Sequence, residues 1–217
     1  MAGDPGASGR TTLSRRSTAE ESEARTALLD AAEAIMLEDG YAAVTTRRIA
    51  AKAGLNSALV FYYFDTMDGL FIALFRRGAQ ETHERWEAVL ASPQPLWGIW
   101  DMLRDESNTA RTMEFIALAN HRKAIRTEIA AAAKQFHRMQ RKALDRALES
   151  YGVDAEQWPA SSVIVMMTGI ARYLLIEQAF DVHLGHAETV ALVEEHIRRL
   201  EGDRQPERDG VVAAAAG

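Results

Sequence analysis

The sequence predicts an all-α fold of about nine helices, and three observations predict it. Apolar residues recur at three- and four-residue steps, no stretch alternates with the period of two that a half-buried strand needs, and glycine and proline fall where the helical runs stop. Hydrophobic residues make up 47% of the 217 positions, enough to bury a core in one or two domains. Cysteine is absent, which excludes a disulfide framework, thiolate catalysis and zinc–thiolate sites, and fits a reducing cytoplasm.

The first helix is predicted from about residue 20 to 39, on a stripe of Ala27, Leu28, Ala31, Ala34, Ile35 and Leu37. Ahead of it, residues 1–18 hold Arg10, Arg15 and Arg16 among small polar residues. They lack the apolar run of about 7–15 residues that a signal peptide needs and are predicted to be a disordered arm. Two short helices follow, hinged at Gly54. Thr45 or Thr46 is placed to cap the first of them, Ile49, Ala50 and Ala53 give it a small apolar face, and Asn56 or Ser57 caps the second. Gly54 supplies the left-handed conformation needed just past a helix end. This is a helix-turn-helix pattern within a domain of residues 19–66. From residue 44 to 64 the charged residues are Arg47, Arg48 and Lys52 with no acid, a locally basic stretch in a chain of net charge −6. Local sign points to a phosphate backbone as partner.

Asp65 or Thr66 caps a fourth helix, from about residue 68 to 90, which at 1.5 Å per residue spans roughly 35 Å and is long enough to join two domains. The sequence Ser92-Pro93-Gln94-Pro95 ends it. A fifth helix carries Trp97, Trp100 and Leu103, a sixth covers about 109–120 and a seventh about 123–151, where Gly152 stops it. Pro159 stands near the start of an eighth that continues to about Phe180, and a ninth spans about 187–200. The eighth is interrupted by Arg172, Glu177 and Gln178 and falls short of a comfortable membrane span, so no membrane partner is predicted. Residues 67–202 form the second predicted domain and 203–217 a disordered tail.

The ordered set Gly40-Tyr41, Thr45-Thr46-Arg47, Ile49-Ala50-x-x-Ala53-Gly54, Tyr63-Phe64 and Leu70-Phe71 resembles the DNA-binding domain of the TetR family of bacterial transcriptional regulators, over about 25–71. The resemblance implies a headpiece in which Arg47 reads a base edge and Thr46 and Arg48 bond phosphates. It places base contacts at Ser57 and Ala58, with Leu59 against a thymine methyl and the hydroxyls of Tyr62 and Tyr63 aimed at phosphates. Phe61 and Phe64 are assigned to core packing. Three positions depart from the family pattern: Ala58 stands for a frequent glycine, Phe61 for a frequent tyrosine and Met67 for a common lysine.

The family uses its remaining helices as a small-molecule sensor and a homodimer contact. Val163, Ile164, Met166, Met167, Ile170, Leu174 and Leu175 cover more than one face of the eighth helix, and Leu192, Val193, Ile197 and Leu200 stripe the ninth, as dimerisation requires. Trp100, Met113, Phe115, Phe136, Met167 and Tyr173 are candidate lining residues for a mostly apolar effector, with Asn120 and Arg172 as polar anchors, Arg172 alternatively pairing with Glu177. His121-Arg122-Lys123 falls where the family's sensor touches its headpiece. No catalytic motif, metal-ligand set or cofactor fingerprint is present, and His183, His186 and Asp181 are assigned to a loop. The predicted function is that of a cytoplasmic, homodimeric, ligand-responsive repressor of a double-stranded DNA operator. The alternative is a helical small-molecule-binding protein with weak or lost DNA affinity.

Overall fold

The computed structural model describes residues 7–205, with side chains from residue 21 onward, as nine α-helices and one 3-10 turn; no strand occurs among the described residues. In order these are α1 (Ala7–Asp39), the turn Tyr41–Ala43, α2 (Thr46–Ala53), α3 (Ala58–Phe64), α4 (Met67–Leu90), α5 (Pro95–Leu103), α6 (Glu106–His121), α7 (Lys123–Ser150), α8 (Ala160–Gln178) and α9 (His186–Glu201). The predicted all-α class is the observed one. One boundary differs by several turns: α1 begins at Ala7 and takes in residues 7–18 of the predicted disordered arm. No proline lies between Pro5 and Pro93, so nothing sterically interrupts a helix there. The side chains of Arg10, Arg15 and Arg16, and residues 206–217 of the predicted tail, lie outside the described residues.

Two compact units divide the chain, Met1–Gln80 with Ala110–Ala132 and Glu81–Thr109 with Ala133–Gly217, and the division falls within α4, α6 and α7. Each has its own apolar core. In the first unit Leu28, Ile35 and Met36 of α1 meet Ile49 of α2, Val60 and Phe64 of α3, Leu70, Phe71 and Leu74 of α4, Phe115 and Leu118 of α6 and Ile125 of α7. Burying each such side chain contributes about 1.5–3 kcal/mol. The α1 stripe is rotated slightly from the predicted one, with Met36 fully buried and Leu37 exposed.

A half-buried cluster of paired charge around Glu33 reinforces this unit. Glu33 of α1 accepts from Arg77 of α4 at 2.7 Å and from Arg111 of α6 at 3.0 Å, while Arg77 also pairs with Asp30. Only about a fifth of Glu33, Arg77 and Arg111 is exposed, so solvent screens these pairs less than surface ones. Gly78 is buried beneath Arg111, whose guanidinium a Cβ would meet at 3.2 Å. A bulkier residue there would displace the arginine.

The corner between α3 and α4 is tighter still. Asp65 has φ 58°, Thr66 Oγ1 accepts from Gly69 N–H at 3.0 Å, and a Cβ on Gly69 would lie 2.1 Å from the carbonyl oxygen of Phe64. Of the two predicted caps for α4, Thr66 is therefore the one that acts.

In the second unit α5 packs on α8 and α9, and Trp86, Trp97, Ile99, Trp100, Leu144, Ile164, Met167 and Ile197 build the core. The start of α5 is capped from far away in sequence. Glu201 accepts from the backbone N–H groups of Leu96 at 2.8 Å and Trp97 at 3.1 Å, placing a carboxylate where the helix dipole favours it. Tyr151 donates its hydroxyl to the same carboxylate at 2.8 Å; burial and that negative charge push the phenol well above its ordinary range. Residues 203–205, predicted to belong to the disordered tail, are tied to α5: Gln205 N–H donates to Gln94 at 2.8 Å, and the Arg204 guanidinium bonds Asp101 and lies 4.7 Å from the Trp97 ring centre.

Asp105 caps α6, accepting from Ser107 N–H at 3.1 Å, Ser107 Oγ at 2.6 Å and both terminal nitrogens of Arg85 at 3.0 Å. Burial raises its pKa, but the hydrogen bonds from Ser107 and Arg85 outweigh burial and hold the carboxyl below its ordinary value.

Gly69→Ala should lower stability by about 1–3 kcal/mol, read as a fall in the urea midpoint, because the new methyl meets backbone that cannot swing aside. Asp105→Asn keeps a capping oxygen but loses the charge, and should cost about 0.5–1 kcal/mol at neutral pH. A depressed folded-state pKa contributes stability above the unfolded value of about 3.9 that is lost as pH falls through the folded one. The difference between wild type and variant should therefore shrink in denaturation curves as pH falls below the ordinary carboxylate range, and vanish once Asp105 is protonated in the folded state as well.

Candidate nucleic-acid interface

The turn between α2 and α3 forms by local chemistry. Thr45, in extended backbone, caps α2 by accepting from Arg48 N–H at 3.4 Å. Gly54 takes the left-handed conformation, φ 67° and ψ 27°, and Leu55 N–H reaches back to Ala50 O at 2.9 Å, the paired bonding that closes a helix at glycine. Asn56 Oδ1 then accepts from Ala58 N–H at 2.8 Å and starts α3; no Ser57 side-chain bond caps it.

α3 buries Val60 and Phe64, one turn apart, in the first core. Its other face is open: Ser57, Ala58, Phe61 and Tyr62 are exposed, while Leu59 and Tyr63 are half-buried and pack against that core. Phe61, assigned to the core from sequence, is 52% exposed and the assignment is corrected. Spacing alone did not settle this, since at about 3.6 residues per turn Phe61 lies roughly 60° from Phe64 and roughly 100° from Val60, at the edge of the buried stripe. Tyr62 and Tyr63 meet edge to face with centroids 4.9 Å apart. Burial, with Glu21 and Tyr62 nearby, raises the Tyr63 pKa, so this phenol stays protonated and available as a donor.

The cations of α2 are not equivalent. Arg48 pairs with Asp39, and Lys52 bonds Glu38 at 2.7 Å, so both are drawn toward the end of α1. Arg47 is exposed and has no ion-pair or hydrogen-bond partner among the described residues. Thr46 is half-buried at the first position of α2. The end of α6 lies against this same unit: His121 stacks on Tyr41 with centroids 6.3 Å apart, Glu114 accepts from Tyr41 N–H at 2.7 Å, and Arg122 pairs with Asp68 over the Phe71 ring.

The eight candidate effector contacts are divided between the two units. Met113, Phe115 and Asn120 belong to the first unit, with Phe115 buried in its core and Asn120 exposed. Trp100, Phe136, Met167, Arg172 and Tyr173 belong to the second, where Trp100 and Met167 are core, Phe136 packs edge-on against Trp86 and Tyr173 is 60% exposed. Tyr173 donates to Glu177 at 2.6 Å, so it is Tyr173 rather than Arg172 that is bonded to Glu177. None of the eight lines the cleft of about 310 Å³ that lies among Arg104, Glu106, Leu174, Gln178, His183 and His186 in the second unit. There His186 bonds Glu177 at 2.9 Å and His183 bonds Asp181 at 3.2 Å, and no cluster able to hold a metal ion occurs among the described residues.

A short helix with a polar-edged open face, locked behind a glycine turn on a helix whose exposed arginine has no partner among the described residues, has the form of a helix-turn-helix DNA-binding headpiece. Residues 28–74 match the family described as bacterial regulatory proteins, tetR family. No curated protein sequence matches the chain significantly. Among solved structures the chain is similar to a TetR transcription regulator from Haloarcula marismortui, at TM-score 0.63 and 19% identity over 81% of this chain and 96% of that one. It is similar to the transcriptional regulator FadR from Bacillus subtilis, solved with stearoyl-CoA, at TM-score 0.60 and 17% identity over 82% and 99%. A Saccharomonospora viridis regulator solved with choline gives TM-score 0.65 and 18% identity over 82% and 94%. At these identities the likeness is one of fold, and the fold is that of TetR-family transcriptional regulators.

Arg47→Ala should cost roughly 1–3 kcal/mol on a specific site and relax preference at one base pair per half-site, whereas Tyr63→Phe should weaken all sequences alike. Arg48→Ala should cost less than Arg47→Ala, because Asp39 already neutralises that charge. Binding isotherms of the three variants on specific and random duplexes decide this ranking.

Proposed function

We propose that this chain is a DNA-binding transcriptional regulator that acts as a homodimer on an inverted-repeat operator and is released from it by a small, mostly apolar molecule. The unpaired, exposed Arg47 beside the open face of α3 carries the reading, because a solvated arginine kept apart from the neighbouring acids is free to meet base edges. Ser57 and Ala58 stand beside it as base contacts, Thr46, Tyr62 and Tyr63 as phosphate contacts, with Arg48 held nearer to Asp39. Function then lies in binding rather than catalysis, and in the cytoplasm where the DNA is.

Dimerisation is supported by α8. Ile164, Met167, Ala171 and Leu174 face the core, while Val165, Met166, Tyr173 and Ile176 remain exposed along the other side with Phe180 just beyond. By length and composition α8 is apolar enough to cross a membrane. One buried side and one exposed apolar side favour a second copy of the chain instead, and Gly169, exposed and with no neighbouring atom within 4 Å of where a Cβ would stand, leaves room for close approach of a partner helix.

For the effector, neighbours of this fold were solved with ligands as different as stearoyl-CoA and choline, so the fold does not dictate the ligand. The aromatic and methionine-rich second core, with Trp100, Phe136 and Met167, suits an apolar molecule. Transmission would run through α6, whose last residue His121 stacks on Tyr41, with the following Arg122 paired to Asp68. The repressive sign follows the habit of the family.

Selection of bound sites from random-sequence DNA by the full-length protein tests the whole reading. An inverted repeat should be enriched; if no sequence is enriched, the chain is instead a helical small-molecule-binding protein without operator affinity. Val165→Glu should leave the fold intact, because Val165 is 65% exposed, yet weaken the dimer about tenfold or more by placing an unpaired charge in an apolar contact. Sedimentation equilibrium should then report monomer where the wild type reports dimer.

A further inference from the structure

α3 is seven residues long, and its burial leaves little choice about what it presents. With Val60 and Phe64 in the core, the outward positions are Ser57, Ala58, Phe61 and Tyr62. Two of these are polar and suit bases or phosphates. The other two, Ala58 and Phe61, are three residues apart and so adjacent on the helix surface, forming an apolar strip between the polar pair. Keeping an aromatic ring half in water forgoes burial free energy that a core position would supply, so the exposed ring of Phe61 calls for a partner.

If α3 enters the major groove, which is the reading proposed above and the one on which this inference rests, that partner is narrowly defined. Base edges there offer hydrogen-bond donors and acceptors plus a single apolar group, the C5-methyl of thymine. A phenyl ring has no hydrogen to donate to a phosphate and no acceptor to offer a base. Leu59, assigned this contact from sequence, is half-buried against the first core and is less free to reach outward. We infer that Phe61, flanked by Ala58, is a specificity-determining residue that reads a thymine methyl at one position in each operator half-site.

Uracil differs from thymine only by that methyl, which makes a direct test. The operator enriched by the full-length protein is resynthesised with uracil in place of thymine at one symmetric pair of positions at a time. One pair should weaken the wild type about fourfold per half-site, the value of roughly one buried methyl-sized group. Phe61→Ala should bind the thymine operator as weakly as wild type binds that uracil operator and should be insensitive to the same replacement. Phe61→Leu should keep part of the sensitivity, and Arg47→Ala should keep it fully while binding more weakly overall. Thermal denaturation of Phe61→Ala should match wild type, because the ring is not part of either core. The inference is overturned if every uracil position affects wild type and Phe61→Ala equally. It is also overturned if Phe61→Ala leaves DNA binding unchanged and instead alters the oligomeric mass, since the ring then meets protein. Absence of any enriched sequence would overturn the regulator reading as well, a result distinct from the other two.

Discussion

A helix of seven residues has no stability of its own, since nucleating the first turn costs more than so few hydrogen bonds return. The open face of α3 is therefore held by what lies behind it. Val60 and Phe64 anchor it in the core shared with α1, α4 and α6, Gly54 fixes the turn that enters it, and the Phe64 carbonyl against Gly69 fixes the corner that leaves it. Every orientation on the exposed side, including those of Ser57, Ala58, Phe61 and Tyr62, follows from these anchors.

The same unit manages its charge closely. A chain of net charge −6 meeting a polyanion cannot rely on long-range attraction, and its few basic residues near the turn are divided in role. Arg48 and Lys52 bind the acids at the end of α1, while Arg47 has no ion-pair partner among the described residues. Deeper in, Glu33 gathers Arg77 and Arg111, so α1, α4 and α6 are joined by paired charge as well as by apolar contact. Broken singly, such a cluster leaves a partly buried charge without its partner.

The second unit is organised by a different device. Glu201, at the last position of α9, caps the start of α5 and accepts from Tyr151, so an element near the end of the described chain organises one more than a hundred residues earlier. This leaves α8 free to bury one side in the tryptophan-rich core and expose the other.

Much of this was legible from local sequence. The all-α class, the helix order, the glycine stop at 54 and the alternatives for capping follow from rules that act within four residues, and the ordered headpiece motif carries the resemblance that the family match over residues 28–74 bears out. What local rules left open was decided by tertiary contacts. Thr45, Asn56 and Thr66 were selected from pairs of candidate caps by the backbone geometry around them. Phe61 looked like core beside Phe64, and three residues apart the two are neighbours on the helix surface; it is the packing of α3 that buries Phe64 and leaves Phe61 at the open edge. The effector contacts were the least legible, because aromatic and methionine side chains at helical spacing have the same pattern whether they fill a core or line a cavity; Phe115 and Trp100 are both core, in different units. Which charges pair was equally invisible, since Asp39 and Arg48, or Glu201 and Leu96, become neighbours only when separate helices pack. Sequence determines which segments are helical because that is a matter of spacing along one chain; partners across helices depend on packing, and only the folded structure fixes them.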